Sequence, residues 1–468
     1  MSSSLSQSDD TLDDPPTGPP GHARRGLLPL IRRLHFYAGV LVAPFILIAA
    51  ITGALYAVAP TIERVVYRDV LFVEPGGEVL PLSAQAAAAQ AAVPDLTMTG
   101  LRPAAGTTDS SRVLFADTAL GEEFSRAVFV DPYSGAVLGQ EPTWFGYLPL
   151  STWLDGLHRH LQLGEPGRVY SELAASWLWV VALGGLVLWW GRRRAERRRG
   201  RPGRLLTVDR TTEARGRTLN WHGAVGIWIL PMLLFLSATG ITWSTYAGEW
   251  VTDLRTQFDW ARPQLDTAGS GAHQGHDGAM APAEAGPMDV DGIVRAANAG
   301  GVVAPLELTL PAAPGEAASV TELDEPYRLT TNSAAVDPAT LQVRGVVDYG
   351  RDYSLIAKLA DWGIRMHMGF LFGWLNQLVL FVVASALVTV IMRGYRMWWQ
   401  RRPTRGSQWA VGRAPMRGLL SRQHPAVLAA VAVCAVVVGV FLPLLGISLL
   451  AFLLLDVILG RVKASQPG

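Results

Sequence analysis

The chain has few of the residues on which much protein chemistry depends. Of 468 residues, one is cysteine, Cys434. That excludes an intramolecular disulfide framework and any thiolate-ligated iron–sulfur cluster. Cys434 lies inside an apolar run and reads as an inert thiol. There is no C-x-x-C-H, so covalent c-type haem attachment is excluded. There is also no glycine-rich dinucleotide fingerprint, no P-loop and no H-E-x-x-H. Nucleotide, flavin and metalloprotease chemistry therefore have no visible motif to rest on. Lysine is nearly absent too, at Lys358 and Lys463 only, which leaves arginine as almost the only cation. The formal net charge of +1 gives no sign of a nucleic-acid partner. Arginine gathers in short segments, whereas two long intervening stretches hold most of the acidic residues.

What is abundant is apolar sequence, at 50% of residues. A bilayer core of about 30 Å needs roughly 20 apolar residues in a helix. Such runs lie at about Phe36–Ala59, Leu173–Trp190, Trp221–Tyr246 and Trp374–Trp399. A fifth, Ala426–Gly460, is interrupted by Pro443 and Gly446 and reads as a helical hairpin, giving six spans. Residues 1–26, rich in Ser, Asp, Pro and Gly, read as a disordered tail. No small-residue cleavage site follows the first run, so it reads as a retained helix. Arg24, Arg25, Arg32 and Arg33 precede that helix, and Arg192, Arg193, Arg194, Arg197, Arg198 and Arg199 follow the second. Arg401, Arg402 and Arg405 follow the fourth, and Arg461 and Lys463 the last. Six spans put all these clusters on one side, so both termini are expected in the cytoplasm and the chain in a cell (inner or plasma) membrane.

The expected organisation is a tail (1–26), a first span (27–59) and an extracytoplasmic domain (60–157). A histidine-bearing segment with the second span (158–191), a basic loop (192–218) and a third span (219–246) come next. A second outer domain (247–366) carries a flexible insertion at 262–287. The fourth span with its histidine (367–400), a loop (401–425), the hairpin (426–460) and a tail (461–468) complete the chain. Each outer segment opens with a helix-like run, Leu82–Val93 or Met288–Ala299, and later carries a strand–turn–strand pattern around an Asp-Pro turn. Both are expected to be small α+β domains.

The two halves repeat each other. His35 stands 17 residues before Thr52-Gly53, and His222 stands 17 before Thr239-Gly240. His158 precedes Gly164 by six residues and Trp189-Trp190 by 31, and His367 precedes Gly373 and Trp398-Trp399 by the same intervals. A V-D-P-x-[S/T]-x-x-V-x-G motif occurs at Val130–Gly139 and again at Val336–Gly345. The fold class expected is an internally duplicated four-helix membrane core with a C-terminal helical hairpin and two α+β outer domains.

The duplication selects four of the nine histidines. His35 and His222 fall at the cytoplasmic ends of the first and third spans, and His158 and His367 just before the second and fourth, at the outer face. Paired imidazoles facing each other across a helical bundle are what bis-histidine haem ligation requires, and the count gives two b-type haems. Proton relays and metal sites also use membrane histidines. His160 is a possible substitute ligand; it lies about 200° of helix from His158, so both cannot face one iron. Gly39, Gly223, Gly226 and Gly369 offer close approach near these positions, as glycine does in ordinary membrane-helix packing. The Trp pairs read as an interfacial belt. His273 and His276, with Asp277 and Met280, form a weaker candidate for copper or zinc within the insertion.

The segments RRLHFYAG…ITG, VDPYSGAVLG, LHRHLQLGEPGR…LVLWW, NWHGAVG…ATG, VDPATLQVRG and MHMGFLFG resemble the PepSY-associated transmembrane family, over about residues 28–402. The resemblance implies PepSY domains outside the membrane and a haem-bearing four-helix core, with His35, His158, His222 and His367 as ligands. Some members are ferric-siderophore reductases, which implies a membrane oxidoreductase acting in iron acquisition. One departure is Asn376-Gln377, where the first half has Gly167-Arg168. The expected function is transmembrane electron transfer from a cytoplasmic or quinol donor to an outer acceptor such as a ferric chelate. The competing readings are a non-enzymatic, membrane-anchored PepSY binding or regulatory protein, and a metal transporter.

Overall fold

The computed structural model describes residues 27–121, 123–200, 204–268, 288–401 and 424–464. The N-terminal tail, Arg24, Arg25, Arg402, Arg405, most of the 262–287 insertion with His273 and His276, and most of the 401–425 loop lie outside the described residues.

The first apolar run is two helices, α1 (Leu28–Leu41) and α2 (Ala43–Ala57), bent by 58°. The cause is Pro44: it has no N–H for the carbonyl of Val40, four residues earlier, and its ring crowds that carbonyl. The freed Val40 carbonyl accepts instead from the Tyr395 hydroxyl at 3.1 Å. Short helices α3 (Ala59–Val66) and α4 (Arg68–Leu71) and then α5 (Leu82–Ala92) follow. Strands β1 (Thr97–Arg102), β2 (Ser111–Ala116), β3 (Phe124–Val130) and β4 (Val137–Trp144) lead into α6 (Pro149–His160) and the long α7 (Glu165–Arg198). The second half runs α8 (Ala214–Ile241), α9 (Tyr246–Gln257), α10 (Val290–Ala299), β5 (Leu306–Thr309), β6 (Ala318–Glu322), β7 (Ser333–Val336) and β8 (Val343–Val347). Helices α11 (Tyr349–Asp352), α12 (Leu355–His367), α13 (Gly373–Trp399), α14 (Pro425–Phe441) and α15 (Pro443–Ala464) end the chain.

Among the described residues, three helices, α7, α8 and α13, are long and apolar enough to cross a membrane, and the bent α1–α2 pair makes up to four. The protein is thus a helical membrane protein. The expected C-terminal hairpin corresponds to α14 and α15, which meet at Leu442–Pro443 and are shorter apolar helices than the other spans. The four core elements close a ring: α7 packs on α1, α2 and α8, and α13 packs on α8 and α2. Residues of all four, including Ile46, Ala174, Leu233 and Val383, share one buried cluster with Leu445 of α15. The terminal helix pair is held to that ring by the Trp177 indole N–H, which donates to Ser448 at 2.9 Å, and by Tyr37 against Phe452.

The two segments expected as separate domains, 60–157 and 247–366, do not form two separate sheets. The eight strands among the described residues join one antiparallel sheet in the order β4-β3-β2-β1-β5-β6-β7-β8. Its seam is β1 against β5, with Leu101 opposite Leu308 and Gly100 opposite Thr309. Kept apart, each half would present an unpaired edge, so pairing the two edges satisfies both. A Cβ on Gly100 would lie 2.7 Å from the Leu308 carbonyl oxygen, so the seam requires glycine there. Helices α5 and α10 cover one face over a common core that includes Ala89, Leu101, Phe115, Ile293, Leu308 and Val320. The Asp291 carboxylate accepts from the backbone N–H groups of Leu82 and Ser83, tying the start of α5 to α10.

Candidate metal centres at the two ends of the bundle

Each of the four histidines sits against one neighbouring helix, and each is held by its Nδ1. In α1, His35 Nδ1 lies 3.0 Å from the Val181 carbonyl oxygen of α7. In α8, His222 Nδ1 lies 2.9 Å from the Val390 carbonyl oxygen of α13. At the sheet end, His158 Nδ1 is 3.0 Å from Thr52 Oγ1, and His367 Nδ1 is 2.6 Å from Thr239 Oγ1.

These contacts fix the tautomers. A carbonyl oxygen only accepts, so His35 and His222 carry their protons on Nδ1. The threonine hydroxyls donate to backbone carbonyls one turn earlier, Thr52 to Ile48 at 2.9 Å and Thr239 to Phe235 at 2.8 Å. Their oxygens are left to accept from His158 and His367. All four rings thus keep the Nε2 lone pair, the arrangement that metal-ligating histidines adopt when a backbone or side-chain acceptor orients them.

The rings then meet in pairs. The His35 and His222 centroids are 6.5 Å apart, with the planes at 80°, and those of His158 and His367 are also 6.5 Å apart, at 46°. An imidazole nitrogen bonds a metal at about 2 Å and sits about 1.1 Å from its ring centre, so an axial metal between two facing rings sets centroids roughly 6 Å apart. Both pairs are at this spacing, and the residues present fit bis-histidine axial ligation. An apolar cavity of about 240 Å³ borders His35, lined by Ile31, Leu34, Val180 and Gly184 among others.

Room for each ring comes from a glycine on the facing helix. A Cβ on Gly53 would come within 3.0 Å of His158 Cε1, and one on Gly185 within 3.1 Å of His35 Cε1. On Gly240 and Gly394 the distances to His367 and His222 would each be 3.7 Å. The glycines singled out from the sequence differ among themselves in what a side chain there would meet. Gly39 and Gly226 have nothing within 4 Å, Gly223 packs under the Trp189 ring, and Gly369 holds a left-handed turn. The signal for the relevant ones was present: Gly185 and Gly394 each fall 27 residues after His158 and His367.

Local turns aim the sheet-end histidines. Helix α6 stops at Leu161 and Gln162, both left-handed, and Gly167 then lets α7 close on it, since a Cβ there would overlap the His160 carbonyl. In the second half, Asn376 replaces that close contact by donating from Nδ2 to the Met366 carbonyl at 2.8 Å. Gln377 accepts from the Thr61 hydroxyl at 2.6 Å. The helix entry is thus built differently in the two halves, and both deliver a histidine to the same place. His160 takes no part in the pairing, and its Nδ1 is buried with no partner. Of the Trp pairs, Trp189 is buried with its N–H on the Leu205 carbonyl, while Trp190 is exposed. Among the described residues, no group of three or more His, Cys, Asp or Glu side chains is placed to hold a bare metal ion.

The family description "PepSY-associated TM region" matches residues 32–401, all four histidines included. The chain belongs to this PepSY-associated family. None of the curated proteins matches it. The match ends before α14, so the terminal helix pair of this PepSY-associated protein lies outside the region that defines the family.

Proposed function

We propose that the protein is a duplicated, dihaem b-type electron carrier of the cell membrane, with both termini in the cytoplasm. It takes electrons from a cytoplasmic or quinol donor and reduces an outer acceptor such as a ferric chelate. The observation that carries this reading is the double pair of Nδ1-anchored imidazoles at ligation spacing, one pair at each end of the bundle.

In this reading His35 and His222 hold one haem iron, and His158 and His367 the other. Bound haem supplies reversible one-electron chemistry, which the side chains here lack. The protein orients each imidazole through its Nδ1 acceptor and raises its basicity, which favours the ferric state. Apolar packing around the rings keeps water out and sets the local dielectric. Reducing Fe(III) in a chelate weakens its hold on hard oxygen ligands and frees the metal.

The test is the optical spectrum and haem content of protein purified from haem-replete cells. The prediction is two non-covalent haems per chain, reducible by dithionite, with low-spin b-type bands. A folded, colourless protein would favour a binding or regulatory role for the continuous eight-stranded sheet. Redox-independent metal flux into liposomes would favour transport.

A further inference from the structure

The loop between β4 and α6, Phe145–Leu148, presents an aromatic corner with three unusual features. Phe145 is 73% exposed and holds a left-handed φ of 48°, a conformation that costs a bulky residue energy and persists only when its surroundings impose it. The surroundings are two arginines. Arg102 donates to the Phe145 and Gly146 carbonyls at 3.1 and 3.3 Å, Arg112 donates to Gly146 at 3.3 Å, and Arg102 is itself paired with Glu307. A pair of backbone hydrogen bonds between Trp144 and Tyr147 closes the loop. The clamp thus spends polar contacts on holding a large apolar ring outward.

The second feature is where the rings lead. Phe145 lies against Trp144 at 4.8 Å, Trp144 against Tyr147 at 6.3 Å, and Tyr147 stacks on Phe370 at 5.8 Å and 13°. Phe370 is three residues beyond His367. The third is the other arm of the same pair: Arg159, next to His158, places its guanidinium 4.9 Å over the Trp144 ring. A near sequence neighbour of each histidine of the sheet-end pair thus reaches the Trp144–Tyr147 aromatic group.

We propose that the Trp144–Phe145 corner is the docking and electron-exit point for the acceptor, and that Tyr147 and Phe370 couple it to the sheet-end histidine pair. The inference rests on the electron-carrier reading above. The acceptor class that fits is a ferric chelate whose iron-binding oxygens are carried on aromatic rings, catecholate or phenolate, which stack on Phe145 and Trp144. The Arg159 guanidinium over Trp144 is shared with Asp155 at 3.5 Å, and the Trp144 indole N–H donates to Glu123 at 3.3 Å, so ring stacking rather than net charge selects it. Haem held by His158 and His367 would supply the one electron that takes the chelated ferric ion to Fe(II), and would itself be oxidised by one electron. No bond in the protein is made or broken.

Binding is tested without redox chemistry by calorimetric titration of the full chain in nanodiscs with gallium(III) tris-catecholate. The expected result is saturable binding, weakened about five- to tenfold in Phe145→Ala, the loss of roughly one aromatic pair. A gallium(III) trihydroxamate, which has no ring, is expected to bind more weakly. Unchanged binding in both Phe145→Ala and Trp144→Leu, or equal affinity for the two chelates, overturns the docking claim and leaves Phe145 as a lipid anchor. Coupling is tested by stopped-flow reoxidation of the reduced protein with ferric tris-catecholate. Tyr147→Leu is expected to slow it several-fold with unchanged gallium affinity and haem spectrum, and an unchanged rate overturns the coupling. Were the chain to hold no haem, the gallium titration would still judge the corner by itself.

Discussion

At the scale of single residues, the four histidines were legible because the chain repeats, and what holds them was not. Thr52-Gly53 and Thr239-Gly240 served only as distance markers in the sequence, whereas in the fold the threonine orients a ring and the glycine makes space for it. A hydrogen bond from a ring to a helix carbonyl, as at Val181 and Val390, leaves no trace in residue type. We predict that Thr239→Val, which removes the acceptor of His367, weakens haem retention about 10–100-fold, measured by transfer to apomyoglobin. We also predict that Gly185→Ala disturbs the His35 spectrum more than Gly394→Ala disturbs that of His222, because the added methyl would come closer, at 3.1 Å against 3.7 Å. In the sheet, hydrogen bonds from Arg344, reinforced by the Ala339 and Thr340 N–H groups, hold the Asp337 carboxyl down to about 2, below its ordinary 3.8. A depressed folded-state value contributes stability that is present above 3.8 and lost as pH falls through about 2. Acid unfolding of the sheet followed by circular dichroism is predicted to show this loss in the native chain and to lack it in Asp337→Asn.

Among the elements, local signals read well and long-range ones poorly. The Asp-Pro turns gave the β3–β4 and β7–β8 hairpins, since Asp131 and Asp337 bond the backbone two and three residues on. The bend in the first span has a local signal in Pro44, whereas composition alone makes Phe36–Ala59 look like one helix. Tyr395→Phe is predicted to leave the Val40 carbonyl without its partner and to cost about 1–3 kcal/mol, seen as a lower thermal midpoint in detergent. The seam between β1 and β5 joins strands about 200 residues apart, and nothing local in either strand names its partner. Gly100→Val places side-chain atoms against the Leu308 carbonyl. It is predicted to speed hydrogen exchange at β1 and β5 while leaving the β3–β4 and β7–β8 hairpins protected; uniform loss of protection would contradict a local seam.

Across the whole molecule, one sheet takes strands from both halves of the chain and one ring takes helices from both, so the two halves are locked together at the seam and in the bundle. The sheet packs on the short connecting helices, Phe129 with Leu71 of α4 and Leu148 on one side and Val347 with Tyr349 of α11 and Ala357 of α12 on the other. Arg365, two residues before His367, strengthens the second connection by pairing with Asp324 at 2.6 Å and donating to the Arg328 carbonyl. In the proposed function, this construction holds the two ligand pairs at fixed separation across the membrane. The central claim is that the four histidines act as two pairs, each with one ligand from either half of the chain. The most direct measurement is the haem content and reduced spectrum of the four single alanine variants. The account predicts that His35→Ala and His222→Ala lose one and the same haem, and that His158→Ala and His367→Ala lose the other. A native chain without haem, or variants whose losses do not sort into these two pairs, would contradict it.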